Sequence, residues 1–377
     1  MADTPPSPSR TPAPASPGRA RRRVGVVLLA LLLAALVAFA LTRLNLSHVG
    51  HALINADPAW IVLAVALMAL SLVLRSVSWY ETLRAALPET AIKWLAVVRA
   101  TMIGVMTSAV FPGRLGEPMR VVVLSRHVDE PQRVVLPIVA GTVFSQTLMN
   151  LLALAVLAVI TLSSVPLLGG HVTGVIVALA LPLAVVLLVI AGPRLLSLGR
   201  LSPSKRLRAA ALIFERLLRD ARRGLVVFAR PRNGVLAVTM QLLAWALQWL
   251  ACYSVLLALH LQDEAGLSAA AAILLAVNVS AVLPATPSNV GVFQAACLVV
   301  LAAYGVQAGT GLAYGIILQA VEVVTALALG VPALLREGLT WGDLRRRAEE
   351  AEEEEMRSVA EASAREGAPA SAREGAE

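Results

Sequence analysis

Cysteine is nearly absent from the 377-residue sequence, and the two present, Cys252 and Cys297, both lie in apolar runs. Neither a disulfide framework nor a cysteine metal site is supported, so we expect both thiols to serve in packing. The sequence also lacks a Walker phosphate loop, an H-E-x-x-H motif and a G-x-S-x-G motif between a strand and a helix. ATP-driven pumping and hydrolytic chemistry are therefore unsupported, and we expect no cofactor and no metal.

Hydrophobic residues, by contrast, make up 58% of the chain. Apolar runs of about 20 residues match the hydrocarbon thickness of a bilayer, so this composition predicts an all-α polytopic membrane protein. The runs long enough to cross lie at about 24–42, 58–80, 133–163, 172–192, 234–259 and 312–335. Two shorter runs, at about 94–111 and 267–283, each lead into a segment broken by proline.

The two ends of the chain cannot build a hydrophobic core. Residues 1–23 are rich in proline and arginine, which predicts a disordered cytoplasmic tail. Residues 337–377 are acidic and of low complexity, which predicts a second solvated cytoplasmic tail. The transmembrane domain is accordingly expected at 24–336. Val24–Thr42 is long enough to span and is not expected to be a cleaved signal.

Lysine and arginine indicate which loops face the cytoplasm. Residues 193–232 contain eleven of them, and the N-terminal tail carries five arginines, so both segments should lie inside. The loops at 164–171 and 260–266 contain neither residue type and should lie outside. This distribution predicts a multi-pass protein of the cell membrane with both termini in the cytoplasm.

The short run at 94–111 decides the topology. A full crossing there would place the basic loop outside, whereas a re-entrant hairpin at about 94–126 keeps every basic loop inside. Its returning leg, Glu117–Arg126, is roughly 15 Å long, or half a bilayer. A second hairpin, at about 267–303, then enters from the outer face. We therefore expect about six full spans and two oppositely oriented re-entrant helical hairpins.

The two broken segments are also similar in sequence. A-V-F-P at 109–112 aligns with A-V-L-P at 281–284. Weak internal similarity with opposite orientation is typical of an inverted repeat, whose binding site lies near the midplane where broken helices meet. Each returning helix would point its free N-terminal N–H groups into the protein, where they attract anions and phosphate in particular.

Candidate binding residues lie at these breaks and in the last span. Arginines at the first break supply charge and several N–H donors for a phosphate. Glu117 would orient them or meet a cationic headgroup, although a closed Arg–Glu cluster could merely fix the turn. Glu322 would line the far wall with Gln319, unless a neighbour simply neutralises it. The predicted substrate-binding residues are Arg114, Gly116, Glu117, Arg120, Ser288, Asn289, Gly291, Gln294, Gln319 and Glu322.

Other polar residues suggest structural roles. Gln146, Thr147 and Asn150 form a stripe for which interhelical hydrogen bonding is the main expectation. Arg75 and Trp79 are expected to snorkel and anchor at the inner end of their span.

A segment at about 204–228 mixes cations with leucine, isoleucine and phenylalanine. This pattern predicts a cytoplasmic amphipathic helix that lies on the inner leaflet and favours anionic lipid. The net charge of +8 is explained in the same way, and nucleic acid is not an expected partner.

At F-P-G-R-L-G-E-P-M-R and L-P-A-T-P-S-N-V-G-V-F-Q the chain resembles the lysylphosphatidylglycerol synthase transmembrane-region family of flippase-like integral membrane proteins. The resemblance covers about 24–336. It implies a role in moving lipids or lipid-linked molecules between leaflets. In the best-known branch the domain is fused to an aminoacyl-transferase, which is not expected here, so synthesis of aminoacylated lipid is not implied.

Several charges of the family pattern are replaced in this chain. Relatives often carry a Glu-Arg pair and a nearby Asp where Gln146, Thr147 and Asn150 stand here. They also often carry Arg at the position of Gln319 and Glu at that of Gln294. These replacements leave open the charge of the substrate and any coupling to protons.

The leading prediction is a flippase-like transporter that moves a phospholipid or a lipid-linked anionic molecule between leaflets. One alternative is a membrane-embedded enzyme acting on a lipid-phosphate substrate, with Glu117 or Glu322 as its general base. Another is a non-transporting scaffold for envelope assembly. The expected partners are membrane lipids, including anionic lipid of the inner leaflet, and the oligomeric state is left open.

Overall fold

A computed structural model describes residues 46–110, 116–128, 132–164, 227, 230–281 and 289–338, and all regular secondary structure in these ranges is helical. The described residues from Val49 onward belong to one compact unit. The helices are α1 Leu46–Ile54, α2 Pro58–Ala86, α3 Trp94–Val110, α4 Gly116–Ser125, α5 Gln132–Ser164, α6 Pro231–Ala258, α7 Leu267–Ser280, α8 Val292–Ala303 and α9 Ala308–Arg336.

Four of these helices, α2, α5, α6 and α9, are long and apolar enough to cross a membrane. They correspond to the spans predicted at 58–80, 133–163, 234–259 and 312–335. The predicted spans at 24–42 and 172–192, the amphipathic helix and both tails lie outside the described residues. A helix of 29 residues such as α2 is roughly 43 Å long, which exceeds the hydrocarbon thickness of about 30 Å.

The helices α2 and α6 run antiparallel along each other. At one end, the backbone N–H of Asp57 donates to the carbonyl oxygen of Ala258 at 2.9 Å. At the other, the amide of Asn233 donates to Glu81 at 2.7 Å. We call these the Asp57 end and the Glu81 end of the helix bundle.

The helices α3 and α4 form a close antiparallel hairpin. A Cβ atom added to Gly104 would lie only 2.8 Å from the carbonyl oxygen of Gly116 and 3.2 Å from the Cβ of Arg120. One added to Gly116 would overlap the Gly104 carbonyl and the Ser108 hydroxyl. Later residues of α4 thus lie beside earlier residues of α3, and glycine is required because the two backbones approach so closely.

Both legs of this first hairpin return to the Glu81 end. Glu337, just after α9, pairs with Arg99 of α3 at 2.9 Å and with His127, which follows α4, at 3.2 Å. The rings of Tyr80 and Trp94 meet edge to face, 5.5 Å apart, and so place the start of α3 beside the last turns of α2.

The second hairpin, formed by α7 and α8, opens at the Asp57 end. Its two legs meet where the Tyr304 hydroxyl bonds to Ser268 at 3.4 Å. The indole of Trp249, in the last third of α6, donates to the carbonyl of Leu267 at 2.8 Å. The two hairpins thus open at opposite ends of the bundle, and their re-entrant position in a membrane remains a prediction.

The close approach of α3 and α4 predicts different outcomes for two Gly→Ala substitutions inside helices. Gly104→Ala should lower stability by about 1–3 kcal/mol, because the new methyl group meets backbone atoms that cannot move away freely. Gly311→Ala is the matched control, since its nearest neighbour would lie at 3.6 Å, an ordinary contact. Thermal unfolding of the purified protein in detergent measures both, and equal shifts would contradict the packing described.

Candidate functional site

Polar side chains from several helices meet near the mid-length of the long helices. Arg75 lies well inside α2, and Glu322 lies midway along α9. At such positions in a membrane-crossing helix, unpaired charge is costly, and ionisable residues usually have a functional role. We call the two arginines and the side chains that touch them the arginine cluster, which comprises Arg75, Trp79, Arg120, Gln146, Trp245 and Gln248.

Arg120 reaches this cluster from the first hairpin. Its Nη1 donates to the Oε1 of Gln146 in α5 at 2.7 Å. Its guanidinium carbon lies 4.9 Å from the ring centroid of Trp79, a distance at which a cation is attracted to the face of an indole. Trp79 is completely buried, and its indole N–H donates to Thr142 at 3.0 Å, so the platform under Arg120 is fixed.

Arg75 reaches the same region from α2. Its Nη2 donates to the Oε1 of Gln248 at 2.6 Å, and its guanidinium carbon lies 5.6 Å from the ring centroid of Trp245. The amide of Gln146 donates to the backbone carbonyl of Arg75 at 3.2 Å. Gln146 therefore connects the two arginines, because its oxygen accepts from Arg120 while its nitrogen donates to Arg75.

The Nε donor of each arginine lacks a partner among the described residues. The Nε atoms of Arg75 and Arg120 are both buried. A buried donor left unpaired costs about 1–3 kcal/mol. Glu322 interacts electrostatically with Arg75, and Glu117, which is exposed, interacts with Arg120. The cluster thus has spare donors and positive charge, which together suit an anionic acceptor.

The expectation that Arg75 and Trp79 anchor at the inner end of their span is wrong. The helix α2 continues beyond the apolar run to Ala86, so both residues lie within it, and Trp79 is fully buried. The charges of Glu81 and Arg84 end the apolar run in the sequence without ending the helix. No local sequence signal marks these two residues, because their partners, Gln248 for Arg75 and Thr142 for Trp79, lie on other helices.

Two members of the polar stripe in α5 form the interhelical hydrogen bonds that were predicted. Gln146 bonds to both arginines as described. Asn150 accepts from Gln241 at 2.5 Å and from the indole of Trp245 at 3.1 Å, which holds the aromatic platform under Arg75. Thr147 instead bonds to the Val143 carbonyl in its own helix at 3.2 Å.

At the second hairpin, the start of α8 is capped by its own side chain. The Oε1 of Gln294 accepts from the backbone N–H of Gly291 at 2.7 Å, and its amide nitrogen donates to Gln319 in α9. Gly291 has a φ of +89°, which suits glycine. One N–H at this helix end is therefore already used, and Gln294 and Gln319 bind each other.

The other predicted binding residues are distributed unevenly. Arg114 and Ser288 lie outside the described residues. Gly116 is buried against α3, and Asn289, with a φ of 55°, is half-buried at the turn before α8. Of the predicted residues, Arg120 and Glu322 both interact electrostatically with Arg75. Arg75 itself was not among the predicted binding residues.

Residues 24–330 match the family described as the lysylphosphatidylglycerol synthase TM region. The chain belongs to this family. A comparison with curated proteins found no match. Membership confirms the resemblance seen in the two broken motifs, and this family member is an integral, multi-pass membrane protein in contact with membrane lipids.

Because Gln146 bridges the two arginines, substitutions of Gln146 and Arg120 should have strongly non-additive effects on stability. Gln146→Leu should cost about 1–3 kcal/mol, because it removes the acceptor of Arg120 and leaves buried polar groups unpaired. The double variant Arg120→Leu/Gln146→Leu should lose less than the sum of the two single losses, since both partners are then apolar. Thermal unfolding in detergent measures the loss of stability of the two single variants and of the double variant.

Thr147→Val is the control for this cycle, because Thr147 bonds only within its own helix. It should change stability little and show no coupling to Arg120→Leu. If the stability losses of Gln146→Leu and Arg120→Leu simply added in the double variant, the bridging role of Gln146 would be contradicted.

Proposed function

We propose that this protein is a flippase-like transporter that moves a phospholipid or a lipid-linked anionic molecule between the leaflets of the cell membrane. The observation that carries the proposal is the pair of guanidinium groups inside the bundle, each with a buried Nε that has no partner among the described residues. Membership of a family of membrane regions named for lipid synthesis supports a lipid as the ligand.

Two arginines suit a phosphate better than most other ligands. A guanidinium group is planar, stays charged and offers several donors that match phosphate oxygens, and it is more weakly hydrated than an ammonium group. Trp79 and Trp245 hold the two groups from one side, so little side-chain freedom remains to be lost on binding. Headgroup phosphate would enter the bundle while the acyl or prenyl chains stay in lipid.

The charges near mid-length also favour an anionic headgroup. Arg75 and Arg120 contribute two positive charges, against at most one negative charge from Glu322. A positive surplus therefore remains for an anion. Glu117 is exposed and adds a further negative charge at the edge of the site.

Transport would use the two hairpins. In this proposal they are re-entrant and enter from opposite faces, with both termini in the cytoplasm, and rocking of one repeat against the other exposes the arginine cluster to each side in turn. Such transport requires no chemical step, which makes the proposed role that of a transporter and not of an enzyme.

Translocation should depend on the two arginines. In proteoliposomes with a leaflet-specific fluorescent phospholipid, Arg75→Gln and Arg120→Gln should each slow translocation at least about tenfold, because a hydrogen bond to a charged group contributes about 1.5–3 kcal/mol. Arg84→Gln is the matched control, since the side chain of Arg84 is 55% exposed and lies at the Glu81 end; it should translocate at the wild-type rate.

The same vesicles distinguish the proposed function from the alternatives. Wild-type rates in both site variants would remove the arginine cluster from the mechanism. A reporter lipid that changes mass during incubation would indicate an enzyme.

The proposed topology is tested by labelling single cysteines from each side of the membrane. Glu89→Cys and Arg126→Cys, at exposed positions on either side of the first hairpin, should both react from the cytoplasm, whereas Asp263→Cys should react from outside. The natural Cys252 and Cys297 are buried and need not be replaced. Reaction of Arg126→Cys from outside would mean that the first hairpin crosses completely.

A further inference from the structure

Glu322 is the acidic side chain that interacts with the arginine cluster from the last helix. It lies midway along α9 and is half-buried. The ion pairs of the described residues lie elsewhere, at Arg84–Glu81 and around Glu337. Within the described part of the chain, the carboxylate of Glu322 forms no hydrogen bond and no ion pair, and Arg75 is the cation that interacts with it electrostatically.

The groups that interact with Glu322 come from α2, α6, α8 and α9 itself. Arg75 faces it from α2, Cys252 from α6 and Cys297 from α8, and Tyr314 lies earlier in α9. The Tyr314 hydroxyl donates to the backbone carbonyl of Cys252 at 2.8 Å, so it is occupied.

The remaining neighbour, α3, contributes Arg99, which is engaged by Glu337 at the Glu81 end. Among the described residues, therefore, Arg75 supplies the positive charge that balances Glu322. It is also one of the two groups to which the anion of the proposed function binds.

We propose that Glu322 binds a proton when an anion occupies Arg75 and Arg120, so that ligand and proton are bound and carried together. This inference rests on the proposed function, since it takes the arginine cluster as the anion site. The proton comes from bulk water and forms an O–H bond to a carboxylate oxygen of Glu322, and no other bond changes.

The physical reason is competition for one positive charge. In the empty site, Arg75 stabilises the ionised carboxylate of Glu322. When a phosphate neutralises Arg75, the carboxylate has an anion as its neighbour, and both burial and like charge then favour its neutral form. By linkage the effect is reciprocal, so a protonated Glu322 must strengthen anion binding by the same factor.

One consequence is that the cargo is electrically neutral. A phosphodiester with one negative charge and one proton together carry no net charge, so the membrane potential neither drives nor opposes their movement. A difference in pH across the membrane would then drive the lipid towards the less acidic side.

The experiment is calorimetric binding of dihexyl phosphate to the full chain, purified free of lipid in a detergent without phosphate, at several pH values. This phosphodiester keeps a single charge across the neutral range, so any pH dependence comes from the protein. Where Glu322 titrates, affinity should rise by up to about tenfold for each unit that pH falls, the limit set by one linked proton. Repeating the titration in buffers of different ionisation enthalpy should give close to one proton taken up per ligand bound.

Variants assign this proton to one carboxylate. Glu322→Gln should bind the diester with no pH dependence and no proton uptake, whereas Glu322→Asp, which keeps a carboxylate, should retain both. Glu81→Gln is the control away from the site, since Glu81 bonds to Arg84 and Asn233; it should behave as the wild type. Glu117→Gln should retain the pH dependence, which separates Glu322 from the other carboxylate near the cluster.

Two results would overturn the inference alone, namely diester binding that is independent of pH in the wild type, or proton uptake that persists in Glu322→Gln. A wild-type protein that binds no diester at any pH would instead contradict the anion site itself and, with it, both proposals.

Discussion

The pairing of positive charge inside a membrane-crossing bundle is the constraint on which this structure depends. A guanidinium group at that depth must be hydrogen-bonded, stacked on an aromatic ring or neutralised, since the hydrocarbon offers no water. Arg75 and Arg120 satisfy this requirement in part, through amide oxygens and the faces of two tryptophans. The Nε donor of each arginine is buried and has no hydrogen-bond partner among the described residues, which favours an acceptor with negative charge.

Small residues determine where one of these charges lies. Gly104 and Gly116 let α4 pack directly against α3, and Arg120 follows one turn after Gly116. The close backbone contact therefore fixes how far Arg120 extends towards α5, where Gln146 receives it. Gln146 also bonds to the backbone carbonyl of Arg75 in α2. A movement of the first hairpin would therefore shift Arg75 as well. Such a connection is what alternating access between two opposed hairpins would require.

Much of the helical architecture could be read from the sequence, since apolar runs at 58–80, 133–163, 234–259 and 312–335 and proline breaks after 94–111 and 267–283 are local signals. Arg120 could be predicted because it lies beside a break. Arg75 could not be predicted as a site residue, because the side chains that bind it lie on other helices. The sequence of one helix does not show how that helix is aligned with the helices packed against it. Gln294 was predicted to bind substrate, and its side chain caps its own helix through a local hydrogen bond that no pattern in the sequence had indicated.

The arginine cluster is proposed to be an anion site at membrane depth. An experimental density map of the protein in nanodiscs that contain phospholipid would show what occupies this site. Phosphate density is expected within hydrogen-bond distance of both Arg75 and Arg120. A map in which the Nε atoms of both arginines are bonded to protein carboxylates, with no lipid density between the helices, would contradict this proposal.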